Sequence, residues 1–540
     1  MERRVNSKLI KTAEWVLAIT MSAVALWLLF VRAMHAGGIW RDEANSAQVA
    51  VLPTLHDIWN NLAFDSFPLL FNLVLHTYVD LFGTSDVALR AFGVAVGALM
   101  VAVAWWNARA SGAGVPLIFL AFVGTNATWL VSGISARGYG AGTMAILVAF
   151  GLAANLVTRP NRKTLLIFAI VCLAAVHLVY FNIALLAAMC AGMVAVFVVR
   201  KRLDFAIAIV AIVAVCVVSW TPYLQMLASL DWRVVVTAAA QVSIWHMLIK
   251  FGTAVGNSTI ALALIWFALV LTLLVAGAGN VISSLRQSSP ARLQPLLFPV
   301  STALGALVTQ YLVLRAVGYS PPPRYFLGLF VIMTAAAESV LSVFARLDWI
   351  RATRCAFAAA IFLISSITAW PQLTQRQTNI DIVARTLQHD AAPNDLIVVD
   401  REPVGVSFNW YYRGNTPWET VPIITDHRFQ RDDLVKAKMI EPGPVRDLEN
   451  EIANTLRTAG RVWLVHDPKQ ANQNGPLAPL TQAPDPRAGW NEWAYREAWA
   501  HEIMLFLENH SESMRVALPS LPNDGAAENM TVYLVQGWRG

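Results

Sequence analysis

Residues 13–44 read AEWVLAITMSAVALWLLFVRAMHAGGIWRDEA. The run 13–32 is apolar between Glu14 and Arg32. Roughly 20 such residues carry a helix across a hydrocarbon core. A few residues later the chain turns to Trp40-Arg41-Asp42-Glu43-Ala44. The segment thus takes the chain through a membrane and sets an acid pair down at its boundary. It is not a cleavable leader, because the apolar run is too long and Met34-His35-Ala36 is a poor small-residue cleavage site.

The same pattern recurs. Eleven spans are expected, at about 13–32, 88–107, 114–132, 140–157, 164–179, 182–199, 205–220, 258–276, 294–315, 325–344 and 355–370. The fifth and sixth also read as one broken helix. Over the 540 residues 57% are hydrophobic and 14% charged, against about a quarter charged in an average soluble domain. Residues 1–370 hold 24 Lys+Arg and 12 Asp+Glu, whereas 371–540 hold 16 and 22. The expected fold class is therefore a polytopic α-helical membrane protein with a C-terminal soluble domain, divided at 370/371. The net charge of +6 does not argue for nucleic acid, since the basic excess lies in loops between apolar runs. The four cysteines, Cys172, Cys190, Cys216 and Cys355, all lie in apolar runs, which speaks against a zinc site or a disulfide framework.

With eleven spans, 16 of the 24 basic residues of 1–370 fall on one side. By the positive-inside rule that side is cytoplasmic. The N-terminus is then inside and 371–540 outside. The outer side holds the connections 33–87, 133–138, 221–257 and the Pro-rich 317–324. In the first, 54–64 reads as an amphipathic helix lying flat in the interface, with Leu55, Ile58, Trp59 and Leu62 on one face. The outer domain alternates helix patterns (378–389, 444–458, 493–508) with strand patterns (396–399, 462–465, 531–535). That is an α/β domain, and it has no Gly-rich phosphate loop.

Charged groups at a membrane boundary are costly unless paired or hydrated, so the outer-face charges are the functional candidates. Asp42 and Glu43 can act as a general base on an alcohol, or pair with Arg41 as loop acids. Arg137 with Tyr139, and Arg324 with Tyr325, stand at outer turns. Guanidinium suits phosphate, although Arg and Tyr also serve as plain interfacial anchors. Asp65 reads as a sugar-hydroxyl ligand or as a cap for the helix starting near Pro68. Arg90 and His177 complete the set, with His177 more often a packed residue than a catalyst. Glu338 is the one acid deep in a span, read as pairing across helices.

The order of these pieces carries a resemblance. Trp40-Arg41-Asp42-Glu43-Ala44 is followed by Asp65-Ser66-Phe67-Pro68-Leu69, then by Leu89-Arg90 and by Ser135-Ala136-Arg137-Gly138-Tyr139. Further on come His177 with Tyr180, Thr221-Pro222-Tyr223 and Pro323-Arg324-Tyr325-Phe326. Over about residues 10–345 this resembles the GT-C glycosyltransferases that use polyprenyl-phosphate sugars. The nearest in pattern are family 39, of the protein O-mannosyltransferase and lipid A aminoarabinose or galacturonic acid transferase type. The resemblance implies an inverting sugar transfer from a polyprenyl-phosphate donor to a lipid, cell-envelope glycan (lipid A or lipopolysaccharide) or protein acceptor. It places the reaction at the outer face of a bacterial inner (plasma) membrane. It makes Asp42, with Glu43 beside it, the base or acceptor-orienting acid. Arg137, Tyr139, Arg324 and Tyr325 fall near the donor phosphate, and Asp65, Arg90 and His177 in acceptor or supporting positions. No metal is expected to be required, with a divalent ion left open. The family's His-Pro-Pro-Leu-Tyr is here Phe67-Pro68-Leu69-Leu70-Phe71, and Ile134-Ser135 replace the acid frequent before its Arg-x-Tyr. Both departures suit a different sugar or acceptor. Competing readings are a lipid-linked sugar transporter or flippase, against which the charge-poor spans and lack of matching halves speak, and a glycan polymerase or ligase.

Overall fold

The computed structural model describes residues 2–229, 243–257, 259–286, 290–318, 321–345, 347–468, 480–485, 489–522 and 527–540. Its first part is helical: α1 (Glu2–His35), α2 (Arg41–Ala50), α3 (Leu55–Asn61), α4 (Leu69–Phe82), α5 (Asp86–Ala110), α6 (Leu117–Phe122), α7 (Gly138–Thr158), α8 (Arg162–Leu178), α9 (Asn182–Val199), α10 (Leu203–Ser219), α11 (Thr221–Ser229), α12 (Ile244–Val255), α13 (Ile260–Arg286), α14 (Pro290–Val317), α15 (Leu327–Phe344) and α16 (Asp348–Leu373). Among the described residues nine helical stretches are long and apolar enough to cross a membrane, and they coincide with nine of the eleven expected spans. Of the other two, 164–179 forms the 17-residue α8, a helix separate from α9.

The stretch 114–132 departs from the expected straight span. It forms the six-residue α6, an irregular turn and a π-turn over Trp129–Gly133. A broken helix at membrane depth exposes backbone polar groups that must be satisfied by protein. The Glu338 carboxylate receives the Ile118 and Phe119 amides at 3.1 and 2.9 Å, at the start of α6. Glu338 thus reaches across from α15, as expected, and does so by capping α6. At the break, Asn126 donates to the Ala254 and Val255 carbonyls, while Asn257 accepts from the Ala127 amide at 2.7 Å and donates to the Thr125 carbonyl.

The expected flat helix over 54–64 is α3 followed by a single 3-10 turn, Leu62–Phe64. Thr54 caps it by accepting from the Asp57 amide. What hydropathy does not suggest is α2, which turns the acid pair into part of a helix. All of 42–50 is buried. α7 and α15 are the most enclosed of the nine crossing stretches. Both begin at the end of the bundle where α2 lies, so α2, the turn before α7 and the turn before α15 meet.

The C-terminal part comprises α17 (Ile380–Asp390), β1 (Leu396–Val399), α18 (Val404–Tyr411), β2 (Trp418–Thr420), α19 (Asp432–Ile440), α20 (Arg446–Arg457), β3 (Val462–His466), α21 (Glu492–His510), β4 (Ser511–Leu518) and β5 (Thr531–Trp538). The strand order is β2-β1-β3-β5-β4, with β1 parallel to β2 and β3, and β5 antiparallel to β3 and β4. β1 and β3 are buried along their whole length, as expected of strands covered on both faces. Leu396, Val398, Val462 and Leu464 pack with α20 and α21, and Ile397, Val399, Trp463 and Val465 with α17 and α18.

This domain grips the membrane part. Arg32, near the end of α1, donates to the Gln375 carbonyl at 2.6 Å and to Gln377 Oε1 at 3.0 Å. The Tyr411 hydroxyl donates to Asp86 and accepts from the Ile39 amide, both at 2.6 Å. α2 is held from the domain side by four hydrogen bonds. Gln48 bonds Asn409 and the Val406 carbonyl, Asn45 accepts from the Gln430 amide, and Glu528 accepts from the Arg41 amide.

Candidate active site

α2 starts at Trp40, whose amide donates to the Glu43 carboxylate at 3.4 Å. Glu43 also receives Arg90 Nη1 at 2.7 Å and the Ala136 amide at 3.0 Å, and its side chain has no exposed surface. Arg90 in turn donates to the Gly38 carbonyl at 2.7 Å. Glu43, expected beside Asp42 as a catalytic acid, is bound as a clasp. It ties α2, α5 and the turn before α7 together, and both its oxygens are engaged.

Asp42 faces the other way. Its carboxylate receives Arg324 Nη2 at 3.1 Å and Arg41 Nε at 3.2 Å, with Arg137 Nη2 at 4.0 Å. Burial pushes this carboxyl up, but Arg41, Arg137 and Arg324 outweigh burial and hold it below the ordinary carboxylate range. Arg137 Nη1 donates to the Asp42 carbonyl (2.8 Å), Ser46 Oγ (2.9 Å) and Asp65 Oδ1 (3.0 Å). Asp65 also receives the Ser46 hydroxyl and the Ser66 amide, so it fixes Arg137 in place. Burial raises the Asp65 carboxyl, and Arg137 only partly offsets that.

Arg324 is the exposed member, its side chain 28% accessible. It donates through Nε to the Tyr139 hydroxyl at 3.1 Å and lies within 6.0 Å of the ring centres of Trp40, Tyr139 and Tyr325. Tyr139 and Tyr325 meet edge to face at 5.2 Å. Three guanidinium groups, of Arg41, Arg137 and Arg324, thus gather around Asp42, and Arg41 also lies in the field of Glu528, Glu402 and Glu492. Among the described residues two buried donors here, Trp40 Nε1 and Arg137 Nε, have no acceptor. Arg137 stands at the N-terminus of α7, where the helix dipole also favours negative charge. The partly exposed Arg324 guanidinium, idle donors and a helix N-terminus together suit an anionic oxygen group such as phosphate.

The turn carrying Arg137 depends on close backbone approach. A Cβ at Gly93 would lie 1.7 Å from the Ile134 carbonyl oxygen, and one at Gly140 would lie 1.8 Å from the Gly133 oxygen. Only glycine lets α5 and α7 press on the 133–137 turn.

Of the nine residues singled out, eight form this one network. His177 lies outside it. Its ring pairs with the Tyr223 hydroxyl at 2.9 Å and Ser219 Oγ at 3.1 Å, at the edge of an apolar groove of about 510 Å³ formed with Trp59, Leu69, Leu73 and Leu173. Sequence reasoning missed Ser46, four residues on from Asp42 and so on the same helical face, and it missed Glu528, whose partner lies 487 residues away. Among the described residues no group of three or more His, Cys, Asp or Glu could hold a metal ion.

Two solved structures cover nearly the whole chain. ArnT from Cupriavidus metallidurans bound to undecaprenyl phosphate matches 96% of this chain and 98% of its own, at 15% identity and a TM-score of 0.54. The same protein in the apo state matches 96% and 97%, at 13% identity and a TM-score of 0.53. The chain has the ArnT fold. No family model matches it, and no curated protein does. With nine membrane-length helices among the described residues and the ArnT fold, it is a multi-pass helical membrane protein with a C-terminal α/β domain.

Proposed function

We propose that the protein is an integral-membrane inverting glycosyltransferase. It moves one sugar from a polyprenyl-phosphate donor to an acceptor hydroxyl at the outer face of a bacterial inner membrane. The observation that carries this is a carboxylate, Asp42, set 3.1 Å from a partly exposed arginine, Arg324, among three guanidinium groups. Support comes from the fold neighbour ArnT, which binds undecaprenyl phosphate. In this reading residues 1–370 form the catalytic membrane module and 371–540 an outer domain that braces it.

Arg324 and Arg137 hold the donor phosphate. The acceptor hydroxyl lies against Asp42 and attacks the anomeric carbon from the face opposite the phosphate. The new C–O bond forms as the C–O bond to phosphate breaks. The hydroxyl proton passes to Asp42, and polyprenyl phosphate leaves with the bonding pair. A phosphate drawn onto Arg324 and Arg137 relieves their hold on Asp42 and raises its basicity as the acceptor arrives. The fixed guanidinium groups stabilise charge that grows on the leaving phosphate. Lipid A or another glycolipid, an envelope glycan and a protein are the acceptor classes this chemistry admits.

The test is a transfer assay. Wild type and Asp42→Asn in nanodiscs are given a panel of polyprenyl-phosphate sugars with membrane lipid extract. Released polyprenyl phosphate and glycosylated product are read by mass spectrometry. Turnover by wild type and its loss in folded Asp42→Asn is expected. Donor crossing the bilayer uncleaved, equally in both, would instead make this a transporter. Because arginines supply the positive charge, turnover is expected to persist in EDTA; a rate restored only by added divalent ion would contradict that.

A further inference from the structure

Arg41 is the residue through which α2 meets the outer domain's acids. Its side chain lies on Asp42, Nε to Oδ1 at 3.2 Å, and its amide donates to Glu528 Oε1 at 3.1 Å. Among the described residues Asp42 is its only ion-pair partner. Glu528 is buried and locked by the Thr378 hydroxyl at 2.8 Å and the Ser407 hydroxyl at 3.0 Å, and among the described residues it forms no ion pair. In the same domain Arg496 pairs with three carboxylates, Glu402 and Glu492 at 3.0 Å and Asp432 at 3.4 Å. One Glu492 oxygen still has no donor among the described residues. Carboxyl groups thus outnumber cations on the domain side of Arg41, and the fields of Glu528, Glu402 and Glu492 all reach it.

The other charges around α2 are paired elsewhere. Arg90 holds Glu43, Arg137 holds Asp65, and Arg376 pairs with Asp381 at 2.7 Å. That leaves Arg41, Arg137 and Arg324 on Asp42. Against burial, which raises the Asp42 carboxyl, Arg41 lowers it more than Arg137 or Arg324 does. In the transfer step Arg137 and Arg324 are drawn onto the donor phosphate. Arg41 is then the cation that still restrains Asp42. An arginine beside an aspartate lowers its pKa by about 1–3, which makes it a weaker base. Asp42 takes the acceptor proton more readily if the charge of Arg41 is offset from its other side.

We propose that Arg41 is a positioning residue for the transfer step, a counter-ion shared between Asp42 and the acids of the outer domain, with Glu528 first among them. A charged Glu528 weakens the hold of Arg41 on Asp42. This rests on the glycosyltransferase reading, and it gives residues 371–540 a part in the chemistry beyond bracing. Burial pushes Glu528 and Glu402 up to about 7, so both change charge across the neutral range.

The experiment is kcat against pH for the full chain in nanodiscs, with a polyprenyl-phosphate sugar as donor and membrane lipid extract as acceptor. Wild-type kcat should step up about three- to tenfold between pH 6 and pH 8, from one plateau to another. Glu528→Gln should lose that step, with KM for the donor unchanged, while its melting temperature at pH 8 does not fall. A role confined to folding would move rate and melting temperature together. The cycle with Arg41 isolates the route. In Arg41→Gln, adding Glu528→Gln should change kcat no further; in Arg41→Lys, which keeps the charge, it should still lower kcat at pH 8. Glu492→Gln keeps an acceptor for Arg496 and is the second variant, expected to flatten the step in part. Two results overturn the shared counter-ion and leave the enzyme reading intact: a wild-type pH profile in both Glu528→Gln and Glu492→Gln, or an equal loss from Glu528→Gln with and without Arg41. No transfer by wild type with any donor would sink the enzyme reading, and the role of Arg41 with it.

Discussion

Asp42 and Glu43 are neighbours with opposite fates, and the difference is which way each points from α2. Asp42→Asn is expected to lower kcat about 10²–10⁴-fold, the range for a lost general base, with the melting temperature little changed. Its pH behaviour follows from the arginines. A carboxyl whose folded pKa is depressed adds stability above its unfolded value and loses it only as pH falls through the folded one. Asp42 is therefore ionised throughout the neutral range in the unliganded protein. The acid limb of kcat/KM that it sets should lie below the ordinary 3.8, and an acid limb near pH 6 would point to another group. Glu43→Gln should instead cost about 3–5 kcal/mol of stability, because Arg90 is left charged and buried. The pair Glu43→Gln/Arg90→Gln should recover part of that loss in thermal melts, and failure to recover any would show that Arg90 is not the main partner. The dipeptide is visible in the sequence, but the division of labour is not. It depends on Arg90, 47 residues on, and on a turn 93 residues on.

At the scale of elements, hydropathy locates nine long helices, because crossing a hydrocarbon core demands an unbroken apolar run, and amphipathic spacing locates α3. It misreads 114–132 for the same reason. α6 and the π-turn are as apolar as a straight span, and the residues that make the break tolerable, Asn257 and Glu338, lie far along the chain. α2 is missed because it is buried on every side and polar where it meets the site. The turn before α7 is the element whose geometry matters most. Gly93→Ala or Gly140→Ala forces Ile134 or Gly133 away and moves Arg137 with it. A displacement near 1 Å at a reacting site costs about 10²-fold in rate. Each variant should then lose transfer activity more steeply than it loses thermal stability. Equal losses in both would mean that the turn supports folding alone.

For the molecule as a whole, the composition break near residue 370 marks out a water-adapted domain, and three strands and three helices in it are legible from periodicity. Its grip on α2 is not, since Gln48–Asn409 and Arg41–Glu528 join segments more than 350 residues apart through polar atoms that carry no periodic pattern. That junction is rich in acids pushed up by burial. Glu528, which receives the Arg41 amide and the Ser407 and Thr378 hydroxyls, lies at about 7, as does Glu402 next to Arg496. A group whose folded pKa is raised contributes stability that is full below its unfolded value, here 4.5, and is lost as pH rises through the folded one. His466, raised by Asp400 against its burial, acts in the same direction, and His427, lowered by burial, opposes it. The melting temperature should therefore fall between pH 5 and pH 8. Glu528→Gln keeps an acceptor for the Arg41 amide and cannot ionise, so it should flatten that fall and melt above wild type at pH 8. A pH profile parallel to wild type would show that Glu528 is already ionised at pH 5 and that the junction is held by Arg41's charge instead.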